Sequence, residues 1–409
     1  MTKTKRISTV FVAILVLAPW SGCDNVGPPP PGAKIVRVQP QSQDTENSHA
    51  SATVLQSPTT PPAQATPLPD DVKAMSVIPG CLCGPGYHPV SVAEPFYQAS
   101  LAATKEGRFG DALDSASRAV SVGLGLDVYK NQLAIALFNA GRAEEALAKW
   151  QDIAQGSPEG CELGFYADAL QRLGRPAEAE SVARRFVSQC SQSSEGHYTL
   201  ASALNALGRL EDAEQEATEL IKLASANPEG YHLRSLIREK RHLLESALSD
   251  ARAAIRLKSD DAQYHRREAG VLWEMERYSE AKQPIATAAK LAPKDAGIHY
   301  LKSMILEEAG DLDKALQAAK DAVALDPKDA DYHRQLGDIY EALERPSEAI
   351  QAFDRSLALK FTPSALYSRA MCHNKIGQRG AALRDLRELD RKTPGYQNTR
   401  AWIESLEGQ

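Results

Sequence analysis

Nine alanines are spaced at nearly constant intervals along the chain, and this spacing limits the possible folds more than any other feature. Successive occurrences are separated by about 34 residues, a period that is typical of stacked helical hairpins. Six of the alanines have a glycine five residues upstream, and glycine accepts the left-handed backbone that ends a helix. The alanines are Ala112, Ala146, Ala179, Ala213, Ala247, Ala281, Ala315, Ala349 and Ala382.

The repeated residues resemble the tetratricopeptide repeat, a helix–turn–helix unit whose length matches this period. The unit at 330–363 has the pattern's residues at Leu336, Gly337, Tyr340, Ala349 and Phe353. The unit beginning at Asp127 has them at Leu133, Ala134, Gly141, Ala146, Trp150 and Pro158. The resemblance is weaker in the fifth unit, where Arg238 and His242 depart from the pattern, and we expect that unit to open first.

The resemblance covers residues 93–396 as nine repeats, which start near residues 93, 127, 160, 194, 228, 262, 296, 330 and 363. It implies an all-α, right-handed superhelical solenoid whose concave face is lined by the first helix of each repeat. We expect residues 397–409 to form a capping helix and a tail, because the last repeat of a stacked array needs a polar outer face.

Residues 1–22 have the pattern of a lipoprotein signal peptide. Lys3, Lys5 and Arg6 precede an apolar run at 7–20, which is too short to span a bilayer. Ser21-Gly22-Cys23 then resembles the bacterial lipobox, in which the cysteine is lipidated, although Trp20 stands where that motif usually has leucine. An ordinary signal peptide and an uncleaved anchor are the alternatives.

Residues 23–92 are predicted to be a disordered tether behind the lipidated Cys23. Fourteen of the 24 prolines lie between residues 24 and 95, and proline favours the extended polyproline II conformation. The sequence therefore predicts an exported lipoprotein of the cell membrane or outer membrane, facing the periplasm or the cell exterior.

Composition and motifs argue against nucleic-acid binding and against catalysis. The chain has 47 basic and 53 acidic residues, whereas nonspecific nucleic-acid binding needs a basic surface. It has no glycine-rich phosphate loop and no H-E-x-x-H or G-x-S-x-G string. We expect a non-enzymatic scaffold for protein partners, without a cofactor, a catalytic residue or a metal. The alternatives are an unprocessed intracellular adaptor and a repeat-associated transferase.

Four histidines share the fourth position of their repeats, and each has a neighbouring tyrosine: His197, His265, His299 and His333. Equivalent residues of stacked repeats lie about 10 Å apart, too far for two imidazoles to share one zinc ion. Structural packing is therefore favoured over a role in metal binding or pH sensing.

The cysteines allow one disulfide in the repeats. Cys161 and Cys190 belong to the same predicted repeat, whose antiparallel helices would bring them together, and an exported protein can form such a bond. Two unpaired thiols are the alternative. Cys372 is expected to be buried and inert. For Cys81 and Cys83 a local turn, with a disulfide or free thiols, is favoured over a metal site.

The resemblance also indicates where a partner would bind. In the family, the second, fifth, ninth, twelfth and thirteenth residues of the first helices line the concave face. In repeats five to eight, eight of these side chains are acidic and three are basic, so we expect a basic or neutral extended partner segment. Trp273, Tyr300 and Met304 are the predicted apolar anchors. The set is Glu229, His232, Leu236, Glu239, Lys240, Gln263, Arg266, Trp273, Glu274, Tyr300, Met304, Glu307, Glu308, Asp331, Arg334, Asp338 and Glu341, with Gly270, Gly297 and Ala342 at the remaining positions.

Overall fold

The computed structural model describes residues 92–123, 126–156 and 162–408, and all regular secondary structure in these ranges is helical. The prediction of an all-α fold built from repeated helical hairpins is confirmed. Among the described residues, one compact unit ends at Arg175 and a second begins at Pro176. The predicted signal peptide and all but the last residue of the tether, with Cys23, Cys81 and Cys83, lie outside the described residues.

The first unit contains five helices in its described part. They are α1 (Glu94–Lys105), α2 (Phe109–Val122), α3 (Asp127–Asn139), α4 (Ala143–Gly156) and α5 (Glu162–Arg172). Helices α1 and α2 form one antiparallel hairpin, and α3 and α4 form the next. Ala103, Ala112, Ala116 and Ala136 form a buried cluster that joins the two hairpins.

The second unit continues the same alternation as far as residue 408. Its helices are α6 (Pro176–Gln189), α7 (Ser194–Ala206), α8 (Leu210–Leu223), α9 (Pro228–Lys240), α10 (Leu244–Leu257), α11 (Ala262–Glu274), α12 (Tyr278–Leu291), α13 (Ala296–Glu308), α14 (Leu312–Leu325), α15 (Ala330–Ala342), α16 (Pro346–Leu359), α17 (Pro363–Lys375), α18 (Arg379–Lys392) and α19 (Thr399–Glu407). From α7 to α18 each odd-numbered helix is the first of a hairpin and the next is its second.

Side-chain caps fix where five of the first helices begin. Each cap residue accepts a hydrogen bond from a backbone N–H of the first turn, and the caps recur once in each of five consecutive repeats. Such a cap stabilises a helix end by about 1 kcal/mol. A regular start keeps equivalent side chains in register on successive helices. The caps are Ser193, Asn227, Asp261, Asp295 and Asp329.

The turns inside the hairpins need a left-handed residue, which glycine supplies in several repeats, including Gly208 and Gly310. Three repeats have His242, Glu276 and Glu344 there instead, with φ of 57°, 57° and 56°. A side chain in this conformation costs roughly 1–2 kcal/mol. These repeats therefore keep the hairpin geometry at the expense of local strain.

The nine recurring alanines are all fully buried, at 0% relative exposure. Each lies where its second helix crosses the first, because only a small side chain lets two helices approach closely. Gly337 has the same role on α15, where the ring of Phe353 fills the space that a β-carbon would occupy. The sequence periodicity thus corresponds to the packing periodicity of the hairpins.

The fifth repeat compensates for its departures from the pattern with a buried ion-pair network. Asp250 is only 4% exposed and accepts hydrogen bonds from Arg234 at 2.8 and 2.9 Å and from Arg238 at 2.8 Å. Glu214 on α8 accepts from Arg238 at 2.8 Å and also from Arg241. Arg238 therefore has two carboxylate partners where the pattern would place a large apolar side chain.

The array ends on a helix that covers the last hairpin. Trp402, Ile403 and Leu406 of α19 pack against a buried cluster that includes Ala382 and Leu386 of α18. None of the helices between residues 92 and 408 combines the length and hydropathy needed to cross a bilayer.

Candidate partner-binding face

The residues predicted to contact a partner lie on four first helices of the second unit, α9, α11, α13 and α15. We call this surface the first-helix face. Because the caps at Asn227, Asp261, Asp295 and Asp329 begin these helices at the same register, side chains one repeat apart occupy equivalent places.

Aromatic rings join neighbouring helices on this face. His232 and Tyr264 have ring centroids 5.3 Å apart, and Tyr300 and Tyr332 have them 5.1 Å apart. The Tyr264 hydroxyl donates to Glu229 Oε1 at 2.6 Å, and burial raises the pKa of both groups. Burial, together with the nearby charge of Arg267, lowers the pKa of His232 to about 3, so its ring is uncharged at neutral pH.

Three arginines of these helices, Arg266, Arg267 and Arg334, have different surroundings. Arg334 forms an ion pair with Asp338 at 2.6 Å and also lies 3.4 Å from the Tyr300 hydroxyl. Arg267 forms an ion pair with Glu239. Arg266 instead donates to the Gln263 amide oxygen at 3.3 Å, and burial lowers its pKa. Of these three arginines, Arg266 is therefore the one that forms no ion pair with a carboxylate of the described residues.

Several of the predicted acidic side chains are already neutralised by contacts within the protein. Asp338 is paired with Arg334 and Glu239 with Arg267. Glu341 accepts from Lys375 Nζ at 3.1 Å. The face is therefore less acidic than a count of the sequence positions indicates, and its free negative charge is concentrated elsewhere.

The carboxyl groups of the face that lack an ion pair include three at the C-terminal ends of α11 and α13, Glu274, Glu307 and Glu308, which we call the acidic end of the face. No lysine or arginine of the described residues forms an ion pair with these three carboxylates. Glu307 accepts from Gln335 Nε2 at 2.5 Å. Burial, reinforced by Asp338 and Glu308, raises the pKa of Glu307 to about 7.

The predicted apolar anchors are partly built into the core. Trp273 packs against the buried cluster of the α10–α13 hairpins, and its indole N–H is buried without a hydrogen-bond partner among the described residues. Met304 packs against a cluster that contains Tyr300, Ala322 and Tyr332. Tyr300 is only 8% exposed. Substitutions here would therefore disturb hairpin packing as well as any bound partner.

The structure also brings together residues that the sequence analysis did not select. Tyr264 and Tyr332 are the third residues of their helices and Arg267 is a sixth residue, whereas the family's concave positions do not include either. The two tyrosines could have been identified from their bulk, because each ring packs against the fifth-position residue of the preceding first helix.

The four fourth-position histidines tie the start of each first helix to the preceding loop. In each repeat Nε2 lies 2.8–3.2 Å from the backbone carbonyl six residues upstream. Those carbonyls belong to Ser191, Ser259, Pro293 and Pro327. The described residues contain no group of three or more potential metal ligands.

The two cysteines of the described part have different environments. Cys372 is buried in α17, and burial raises the pKa of its thiol to about 12, so it is not a reactive thiolate. Cys190 follows α6 and is half-buried. Cys161 lies outside the described residues, and its pairing with Cys190 stays a prediction.

Comparisons with known proteins agree with this architecture. The family model described as tetratricopeptide repeat matches residues 167–228, 266–330 and 300–365, so these segments contain tetratricopeptide repeats. No curated protein is detectably similar in sequence.

Solved structures are similar at low sequence identity. A chain of the APC/C hetero-tetramer Cut9–Hcn1 has a TM-score of 0.51 at 13% identity, covering 77% of this chain and 64% of that one. PilF of Pseudomonas aeruginosa has a TM-score of 0.47 at 15% identity, covering 52% of this chain and 97% of that one. MamA of Desulfovibrio magneticus RS-1 has a TM-score of 0.39 at 20% identity, covering 41% of this chain and 94% of that one. At these identities the likeness concerns the fold alone.

Proposed function

We propose that this protein is a non-enzymatic scaffold that binds a peptide or protein partner on the first-helix face. The observation that supports it best is the acidic end, where Glu274, Glu307 and Glu308 have no cationic partner in the described residues while other carboxylates of the same face are paired. A surface that neutralises part of its charge internally and leaves one end free is suited to an opposite charge from outside.

The partner segment is basic or neutral and extended. A lysine or arginine side chain beside Glu307 would meet a half-buried carboxylate, where electrostatic attraction is stronger than in water. His232, Arg266 and Arg334 lie along the same face, and their hydrogen-bonding groups suit a peptide backbone. Charge complementarity of this kind mainly sets encounter rate and specificity.

The N-terminal sequence extends the proposal to location. Lipidation of Cys23 would anchor the protein in the cell membrane or outer membrane, and the proline-rich segment would hold the repeats away from the lipid on the periplasmic or outer side. An intracellular adaptor that keeps its N-terminus is the alternative, and a repeat-associated transferase is a more distant one.

The binding proposal is tested with a fluorescein-labelled extended peptide of alternating lysine and alanine, using fluorescence anisotropy at low and high salt. Glu307→Gln and Glu308→Gln together should weaken binding about tenfold, because two charge interactions are lost. Asp313→Asn, an exposed change on α14, is the matched control. Equal loss in the control, or no loss in the double variant, would show that the acidic end is not the binding site.

A further inference from the structure

The second unit has a recurring contact that holds consecutive second helices together. Counted from the start of each first helix, the seventh residue faces residue 23 of its own repeat and residue 25 of the preceding one. In α9 this residue is Arg234, which forms an ion pair with Asp250 at 2.8 Å and donates to Thr218 Oγ1 at 3.2 Å. The three residues fill the space between α8 and α10.

The equivalent contact is also filled in three other repeats. Arg369 of α17 pairs with Asp385 at 2.7 Å and with Asp354 at 2.6 Å. Glu268 of α11 accepts from Arg252 at 2.7 Å. Leu336 of α15 fills the place with an apolar side chain that packs on a buried cluster.

In α13 the contact is open. The seventh residue is Lys302, and both partner positions are alanines, Ala286 and Ala318. A cavity of about 340 Å³ lies there between α12, α13 and α14, with Ile285 and Leu306 among its apolar lining. No carboxylate in the described part of the chain forms an ion pair with Lys302, although Arg234 and Arg369 each have one in cis.

The charges around this cavity favour an anion. Lys282 and Lys314 join Lys302 in its lining, against two aspartates, Asp311 and Asp321. Asp311 is engaged with Lys282 at 2.8 Å, and Asp321 accepts from Gln317 at 2.8 Å. Lys302 and Lys314 thus form no ion pair among the described residues, and both ammonium groups lie beside the cavity's apolar floor.

We propose that an acidic segment of a partner protein docks between α12 and α14 and inserts an aspartate or glutamate side chain toward Lys302. The inserted carboxylate takes the place that Asp250 and Asp385 occupy in the other repeats, and an adjacent aliphatic side chain of the segment occupies the cavity next to Ile285 and Leu306. The cavity is large enough for such side chains and has the complementary charge. This surface lies outside the acidic end of the first-helix face and selects a segment of opposite charge.

The test uses a fluorescein-labelled nonapeptide with an Asp-Leu-Asp-Asp-Leu core and a second peptide in which asparagine replaces each aspartate. Lys302→Ala removes the cation. Ala286→Asp supplies the carboxylate from within the chain, as Asp354 does for Arg369, and occupies part of the cavity. Lys290→Ala removes an exposed lysine from α12 outside the cavity and is the charge-matched control.

We expect the aspartate peptide to bind the whole protein, and Lys302→Ala and Ala286→Asp each to weaken it about tenfold or more, the usual effect of losing one charge-assisted hydrogen bond. Lys290→Ala should leave binding unchanged. The proposal is overturned if the aspartate and asparagine peptides bind equally or not at all up to about 1 mM. It is also overturned if Lys290→Ala weakens binding as much as Lys302→Ala. Displacement of the peptide by inorganic phosphate at equal concentration would indicate a simple anion site and would likewise overturn it.

Discussion

Two glycines in the middle of first helices should respond oppositely to the same substitution. Gly270 lies in α11 and has no atom within 4 Å of the place where a β-carbon would be. At Gly337 in α15 a β-carbon would lie 2.5, 2.7 and 2.9 Å from three atoms of the Phe353 ring. Phe353 is fully buried, at 0% exposure, so the ring cannot move aside into solvent.

The expected magnitudes follow from these distances. Gly270→Ala should stabilise the protein by about 0.5–1 kcal/mol, because alanine loses less backbone entropy than glycine in a helix. Gly337→Ala gains the same term but adds an overpacking cost of about 1–3 kcal/mol. The two variants should therefore differ by about 2 kcal/mol in the free energy of unfolding, or several degrees in Tm for a unit of this size.

Urea unfolding followed by circular dichroism measures the difference, and hydrogen exchange of α15 and α16 amides measures it locally, since repeat arrays need not unfold in one step. Phe353→Leu should reduce the penalty of Gly337→Ala when the two are combined, because the smaller side chain relieves the contact. If Gly337→Ala stabilises the protein as much as Gly270→Ala, the packing argument is wrong.

Three further predictions concern charge and processing. A bound cation favours the ionised form of Glu307, whose pKa is about 7. Affinity for the lysine–alanine peptide should therefore rise between about pH 6 and pH 8. Peptide binding to Glu307→Gln, measured by anisotropy, should depend less on pH. Asp250→Ala should destabilise the protein by about 3–5 kcal/mol, because two largely buried arginines lose their shared carboxylate; urea unfolding checks this, and a loss no greater than that of Asp313→Asn would contradict it. Mass spectrometry of the mature N-terminus should find acylated Cys23, and a retained Met1 would exclude processing.

Much of the fold was accessible from the sequence because one packing constraint repeats. The buried alanines and the left-handed turns recur at nearly fixed spacing, so the hairpin could be predicted without knowing any long-range contact. The fifth repeat is different: Arg238 is a poor match to the pattern, and sequence comparison with the other repeats predicts weakness. Its partners Asp250 and Glu214 become visible only when the helices are placed side by side.

The candidate site was harder to predict for the same reason. Sequence positions identify which side chains share a face, but not which charges cancel there. The pairing of Glu239 with Arg267 depends on a sixth-position arginine, and that of Glu341 with Lys375 on a residue of the next repeat. The pKa of Glu307 depends on burial that a single helix does not have.

A repeat protein can acquire a binding site by omitting an internal contact as well as by adding a side chain. At the seventh position, Arg234 and Arg369 are satisfied by aspartates within the array, and these contacts join neighbouring hairpins. Where both partner positions of Lys302 are alanines, the ion pair between neighbouring hairpins is missing, and a cation lies beside an apolar cavity. A partner that supplies the carboxylate can then form the ion pair that the free protein lacks. A contact that is filled in the other repeats and open in this one is therefore the place to look for recognition.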